Sequence, residues 1–517
     1  MIKIDGLILP LDTDFSKLKD AISSLINNGE SVKSVSLYRR SVDARGRQPR
    51  FCCSVLLETD DEPAFLEANP AAKIFTPAPY VFKKATRKPE HPPVVVGFGP
   101  AGMFAALTLA RAGLNPVVIE RGTDVDTRTA DVAAFFSGGK LKENSNIQFG
   151  EGGAGTFSDG KLNTGIKDKR VRAVLETFAE FGADGDILYE AKPHIGTDVL
   201  RRVVKNIRNE IINLGGKVFF NTCFEKIKLK NGKLEGIIAS GREILTENLF
   251  LCIGHSARDT FTLLKESGFD ICRKPFAVGV RIEHLQSDIN RALYGRYAGN
   301  KNLPAADYKL AVHLESGRGV YTFCMCPGGF VVNAASEPGG LVTNGMSYKS
   351  RDGENANSAL LVGVSPEDIP GSDVLAGIEF QRNIERRAYE AGGGRVPVCS
   401  VGYFLGRTEN AITEVQPTVK PGYNLCYVGG LFPGFITDSL KAGIIEMDKK
   451  LNGFADSKAV ITAPETRSSS PVRLLRGEDM QASGIKGVYP CGEGAGYAGG
   501  IVSAAVDGIK AAESIIM

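Results

Sequence analysis

Gly97, Gly99 and Gly102 fall in the spacing G-x-G-x-x-G, and Glu120 follows some twenty residues later. That pattern suits phosphate binding. Gly97 permits a tight turn, Gly99 lets a pyrophosphate approach the backbone, and Gly102 lets a helix pack closely on a strand. Pro100 and Ala101 open that helix, so its unpaired N–H groups face the phosphates. Glu120, with Arg121 beside it, is placed to accept hydrogen bonds from a ribose. Cys324 and Cys326 lie two apart, on one face of a strand. They read either as a redox pair or cofactor-facing thiol, or as two small buried side chains in a strand too extended for an unstrained disulfide. In ETRSSSPVR (465–473), Arg467 and Arg473 can grip a carboxylate or phosphate bidentately, or form a solvated basic loop. His255 and His313 can carry protons, but read more readily as structural residues.

Elements must hold these groups in place. Residues 94–121 read as strand, glycine turn, helix and second strand, a complete dinucleotide-binding unit. Two other stretches match G-x-G-x-x-G literally, at Gly150-Gly152-Gly155 and Gly494-Gly496-Gly499. Neither is followed by helix and second strand, so the chain has one such unit. A nicotinamide nucleotide, NAD(P)H, is then expected only as a transient electron donor or acceptor. Residues 1–75 read as a ferredoxin-like α+β domain and 76–93 as a Pro-rich basic linker. Residues 94–274 and 423–517 form the two parts of a Rossmann-type domain, and 275–422 an inserted β-rich substrate or cap domain. Arg39, Arg40, Arg45, Arg47 and Arg50 cluster around the hairpin at ARGRQP (44–49). This suits RNA or a phosphorylated ligand, or else a solvated or docked face, which aromatic-poor surroundings favour.

Composition narrows the class. The chain has 517 residues, 43% hydrophobic and 23% charged, with a net charge of +3 and 60 glycines. These are globular values for two to four domains, without the basic excess of a nucleic-acid binder. MIKIDG places Asp5 where a signal's apolar region would begin, and residues 94–119 are too interrupted to span a membrane. Ten scattered cysteines without metal spacing suit a reducing cytoplasm. No metal site is expected, and the oligomeric state is open.

A single dinucleotide unit followed late by CGEGAGYAGGIVSAAVDGIKAA (491–512) resembles the FAD-binding oxidoreductases related to glutathione reductase and p-hydroxybenzoate hydroxylase. The resemblance implies that Gly492 and Glu493 meet the ribityl chain. Gly499, Gly500 and Ile501 would present a positive helix end to the flavin. LFLCIGHSA (249–257) resembles the strand and turn, with Gly254, by which these folds re-enter the nucleotide domain after a meander, here KVFFNTCFEKIKLKNGKLEGIIAS (217–240). SNIQFGEGGAGTFSDGKLNTG (145–165) resembles their second glycine loop. Gly152, Gly153, Gly155 and Thr156 would touch the cofactor, and Ser158, Asp159 and Lys161 would lie near the isoalloxazine. GEGGAGTFSDGKL, KPFAVGVRIEH, FCMCPGGFVVNAASE and NGMSYKSRDGENANSALLV are similar to the uncharacterised bacterial FAD-dependent "NAD(FAD)-utilising" dehydrogenases. GVYPCGEG is more distantly similar to aminoacetone-oxidase-like flavoproteins. These resemblances imply a FAD-dependent oxidoreductase, and Arg467 and Arg473 point to a small, anionic metabolite as its substrate. The alternatives are a FAD-dependent RNA-modifying enzyme and a non-catalytic flavin sensor.

Overall fold

A computed structural model describes residues 1–27, 29–46 and 48–516. Arg47 of the basic hairpin lies outside the described residues. The N-terminal strands Ile2–Leu9, Val32–Asp43, Arg50–Thr59 and Ala72–Ile74 form an antiparallel sheet in which the first strand lies between the third and fourth. With helices Leu18–Ser23 and Glu62–Ala68 this is the ferredoxin-like order expected. Alternating apolar residues (Ile2, Ile4, Leu7, Leu9) give the strand one buried face. The domain is docked on the rest of the chain. Arg40 and Glu190 pair backbone and side chain, with Arg40 N–H donating to Tyr189 O at 2.7 Å and Arg40 Nε to Glu190 at 2.8 Å.

The Pro-rich segment 76–93 is a strap rather than a free linker. Tyr80 bonds Glu513, Lys84 reaches Arg111 O at 2.9 Å, and Glu90 N–H donates to Glu247 at 2.7 Å.

The nucleotide domain is built on five parallel strands, in order Val488–Pro490, Leu249–Leu251, Val94–Val96, Val117–Ile119 and Lys217–Phe219. One face is covered by helices Pro100–Arg111, Thr197–Asn213 and Ile501–Ile516 and the other by the three-stranded meander with helix Arg258–Glu266, so the central strands are continuous apolar runs. Helix Pro100–Arg111 packs along helix Ile501–Ile516, close enough that a Cβ on Gly508 would stand 2.1 Å from Ala101 O. The meander lies slightly later than expected, in strands Phe224–Lys230, Lys233–Ala239 and Arg242–Leu245, because Lys217–Phe219 joins the parallel sheet.

The cap is a seven-stranded sheet in the order Ala311–His313, Gly319–Cys326, Asn355–Val364, Phe276–Leu285, Val460–Glu465, Val396–Ser400 and Tyr423–Leu425. This moves the expected boundary at 422. Strand Val460–Glu465 inserts between Phe276–Leu285 and Val396–Ser400, and helix Gly434–Asp448 buries Leu440, Ile444 and Met447 in the cap's core. The chain returns to the nucleotide domain only after Glu465. Among the described residues no helix is long and apolar enough to cross a membrane.

Candidate functional site

The second glycine loop is shaped by one residue. Arg128, on helix Val125–Phe136, is fully buried and donates only to backbone carbonyls: Asn146, Ile147, Gly150, Glu151 and Gly153, at 2.7–3.3 Å. Its guanidinium plane also covers the Phe157 ring. Gly150, Gly152 and Gly153 all take positive φ, which bends the loop back against the first glycine turn, and a Cβ on Gly153 would stand 3.0 Å from Gly99 Cα. Glu120 completes the clamp. Its carboxylate accepts from the N–H groups of Phe98, Gly122 and Gly150 at 2.8–3.1 Å. Three of about four lone-pair sites are thereby used, leaving one for a ribose hydroxyl.

Above these turns runs one cavity of about 470 Å³, from Val96 and the first glycine turn to the cap strand Gly319–Cys326. Its nucleotide end is lined by Gly97, Gly99, Pro100, Ala101, Glu120 and Arg121, and its middle by Gly153, Gly155, Gly254, Glu493, Gly499, Gly500 and Ile501. Gly254 and Gly499 have neither positive φ nor any protein atom within 4 Å of a built Cβ. Packing gives no reason for glycine there. A ligand lying against the backbone does. Between them, His255 Nδ1 sits 3.1 Å from Glu493 Oε1, while His255 Nε2 is buried with no protein partner. A buried polar atom facing a cavity is ordinarily satisfied by what the cavity holds. These residues fit FAD.

Several expected cofactor contacts serve the scaffold instead. A Cβ on Gly102 would strike Gly97 O at 1.9 Å, which is the helix–strand packing role assigned to it. Gly152 and Thr156 are off the cavity: a Cβ on the first would meet Thr156 Oγ1 at 1.9 Å, and the Thr156 carbonyl accepts from Thr197 at 2.7 Å. Gly492 is also off it, its φ of 81° turning the chain so that its N–H donates to Asp507 at 2.8 Å.

At the cap end, Lys161, Cys324, Tyr308, Arg351 and Glu465 line the cavity. Lys161 Nζ is 2.9 Å from Asp159 Oδ2 and also bonds Met325 O. Arg351 grips the same carboxylate through Nε at 3.1 Å and through its other nitrogen. Burial pushes the Asp159 carboxyl up, but Lys161 and Arg351 outweigh it and hold the group ionised. Arg281, fully buried, holds Glu465 through two bonds of 2.6 and 3.1 Å.

The arginines of the 465–473 loop are not anion anchors. Arg467 lines the cavity, but Glu385 takes its guanidinium at 3.0 and 2.7 Å, and Ser256 and Ser336 take the remaining nitrogen. Glu385 also binds Arg258, which reaches Glu337. Arg473 lies off the cavity, its Nε donating to Gly496 O at 3.3 Å and its plane over Tyr497. Cys326 is fully buried behind Cys324. Arg281, Glu465, Arg351 and the Glu493–His255 contact leave no mark in the sequence because each joins residues far apart in the chain, and Arg128 leaves none because its partners are backbone carbonyls.

Fold and cavity together define a flavoprotein of the Rossmann FAD-binding class. Residues 93–190 match the "FAD binding domain" family, residues 275–468 the "FAD-dependent protein, C-terminal domain-like" family, and residues 1–58 a domain of unknown function. A protein of Clostridium beijerinckii, described as an "Uncharacterized protein", is 48% identical over 532 residues, covering 100% of this chain and 98% of its own length. The chain belongs to the same family as that protein. Among solved structures, it is similar to glycine oxidase from Bacillus cereus at 12% identity and a TM-score of 0.33, over 82% of this chain and 97% of that one. It is also similar to a geranylgeranyl bacteriochlorophyll reductase-like protein from Thermoplasma acidophilum, at 13% identity and 0.36, over 83% and 79%.

Proposed function

We propose that the protein is a FAD-dependent oxidoreductase acting on a small substrate held between the flavin and the cap strand Gly319–Cys326. The observation that carries this reading is the continuity of one cavity from the glycine turn to that strand. FAD, when bound, supplies the hydride donor or acceptor. The chain's own residues bind, orient and move protons. Helix Pro100–Arg111 presents its N-terminus to the phosphates, and Glu120 keeps one lone pair for the ribose. Helix Ile501–Ile516 presents a second positive end. Glu493 orients His255, whose free Nε2 is the cavity's proton carrier. Lys192 pairs with Asp307 on the lining, and Lys309 beside them has no carboxylate partner among the described residues, which favours an anionic substrate.

A nicotinamide nucleotide fits as a transient partner that enters the same cavity, since only one complete dinucleotide unit is present. The motif resemblance to the NAD(FAD)-utilising dehydrogenases supports the same reading. RNA modification is less favoured, because Arg40 is spent on docking and Arg45 folds back onto Asp43. The test is anaerobic titration of the purified protein, followed by flavin absorbance, with NADH, NADPH and small organic acids. Bleaching by at least one is expected. Flavin that only dithionite bleaches would point to the sensor and sink the enzyme reading.

A further inference from the structure

Strand Gly319–Cys326 loses register with Asn355–Val364 between Phe323 and Cys326, and Cys324 stands at φ 42°. A left-handed residue with a side chain is strained and persists only where its surroundings hold it. Here they do. Arg281 donates to Cys324 O at 3.4 Å and to Cys326 Sγ at 3.8 Å, and the Cys326 thiol points at Cys324 O, 3.3 Å away. The bulge removes the objection that an extended strand would strain a bond between these cysteines. It sets Cys324 on the cavity beside Lys161 and keeps Cys326 buried directly behind.

The local charges point the same way. Among the described residues, Lys161, Arg281 and Arg351 pair with two carboxylates, Asp159 and Glu465. His194 adds no charge, since burial and Arg351 hold its pKa at about 4. Tyr308, which bonds Ser358 and faces Cys326, is pushed by burial to about 12. The cluster therefore lacks one negative charge. Cys324 is the group placed to supply it. The Cys326 hydrogen bond, with Lys161 and Arg281, lowers its thiol against the opposing effects of burial and Asp159, while the same hydrogen bond and burial raise Cys326.

We propose that Cys324 and Cys326 form a redox-active thiol pair at the cap end of the cavity, with Cys324 attacking and Cys326 resolving. The substrate class is a small disulfide. The Cys324 thiolate attacks one sulfur of R–S–S–R, the S–S bond breaks, and one thiolate leaves. That thiolate takes the Cys326 proton. Cys326 then displaces the second thiolate from Cys324, leaving an internal disulfide, one thiol and one thiolate. Two electrons pass from the pair to the substrate, and excess thiol drives the same steps backward. This chemistry goes beyond the flavin reading and stands without it.

The full-length protein as purified is incubated with oxidised glutathione, trapped with N-ethylmaleimide and mapped by mass spectrometry. Wild type should lose both thiols to an internal disulfide and retain no glutathione. Cys326→Ser should retain glutathione on Cys324, and Cys324→Ser should leave Cys326 unmodified. Alkylation of Cys324 should proceed well below the pH at which half-buried Cys52 reacts, and Lys161→Met should move its midpoint upward. The pair is overturned if wild type keeps glutathione on Cys324, or if Cys324 reacts no faster than Cys52. It is also overturned if Cys324 titrates ordinarily and sulfate shields it, which would show that a bound anion fills the charge. The wild-type readouts need no variant to fold, and flavin bleaching scores the other reading separately.

Discussion

At the nucleotide end of the cavity, Arg128 is fully buried among five backbone carbonyls. At the cap end, Arg281 is as deeply buried against the carboxylate of Glu465. The first charge is dispersed over peptide dipoles, and burial draws its pKa down to about 9. The second opposes burial with a full countercharge, and Glu465 carries its pKa above the ordinary arginine value. On the proposed function, the difference matches what each end must do. A phosphate site needs a loop of fixed shape whose N–H groups stay free, so the arginine takes the carbonyls. A substrate site needs charges that do not move, which side-chain pairs provide.

The largest effect should come from removing the dispersed charge. Arg128→Met leaves five buried carbonyls without their donor, and should cost roughly 4 kcal/mol or more in urea unfolding, with loss of FAD from the purified protein. Arg281→Met should cost about 3–5 kcal/mol, because it strands the Glu465 charge, yet leave FAD stoichiometric. If Arg281→Met expels FAD while Arg128→Met keeps it, the comparison is wrong.

Next come the glycines. Gly99→Ala, Gly254→Ala and Gly499→Ala place one carbon where packing leaves room, the first at 3.7 Å from Gly153 Cα. Each should weaken FAD binding roughly ten- to a hundredfold while the FAD-free chain melts as wild type does. Gly494→Ala, whose Cβ would stand 1.8 Å from Ile253 O, should destabilise the FAD-free chain as well. Equal melting losses at Gly254 and Gly494 would remove the evidence that a ligand selects the first.

A smaller effect is set by pH. Burial raises the Glu151 carboxyl from 4.5 to about 7, against the Val125 N–H and Arg208. The folded state thus holds a proton that the unfolded chain releases. Its contribution to stability is complete below pH 4.5 and is lost as pH rises through about 7. Glu151→Gln should flatten that part of the stability–pH curve, and an unchanged slope would place the titration elsewhere. Arg473→Ala should do least, about 1 kcal/mol or less, with bleaching by substrate unaltered, since that side chain lies outside the cavity.

What could be read from the sequence follows from range. The turn at Gly97–Gly102, the meander and the ferredoxin-like order are written in short stretches, where spacing and periodicity carry the information. The cap boundary was misplaced because Val460–Glu465 pairs with a strand some 180 positions earlier. Arg467 looked free because its partner, Glu385, sits on a helix 82 positions away. Charge pairs leave no spacing in a sequence, so a basic loop and a neutralised one read alike. The carbonyl cage around Arg128 is local, within 25 positions, but carbonyls belong to every residue and mark none.

The order of the parallel sheet bears on how the protein is made. Its central strands Val94–Val96 and Leu249–Leu251 lie in the first half of the chain, but the strand completing that edge is Val488–Pro490, and the helix lying along Pro100–Arg111 is Ile501–Ile516. During synthesis the ferredoxin-like domain can fold as it leaves the ribosome. The nucleotide domain must wait, with the apolar edge of Leu249–Leu251 and the inner face of Pro100–Arg111 uncovered while more than two hundred further residues are added. The cavity itself is complete only once Gly499, Gly500 and Ile501 have been added, so the last wall of the cofactor site is also the last part of the domain to be made.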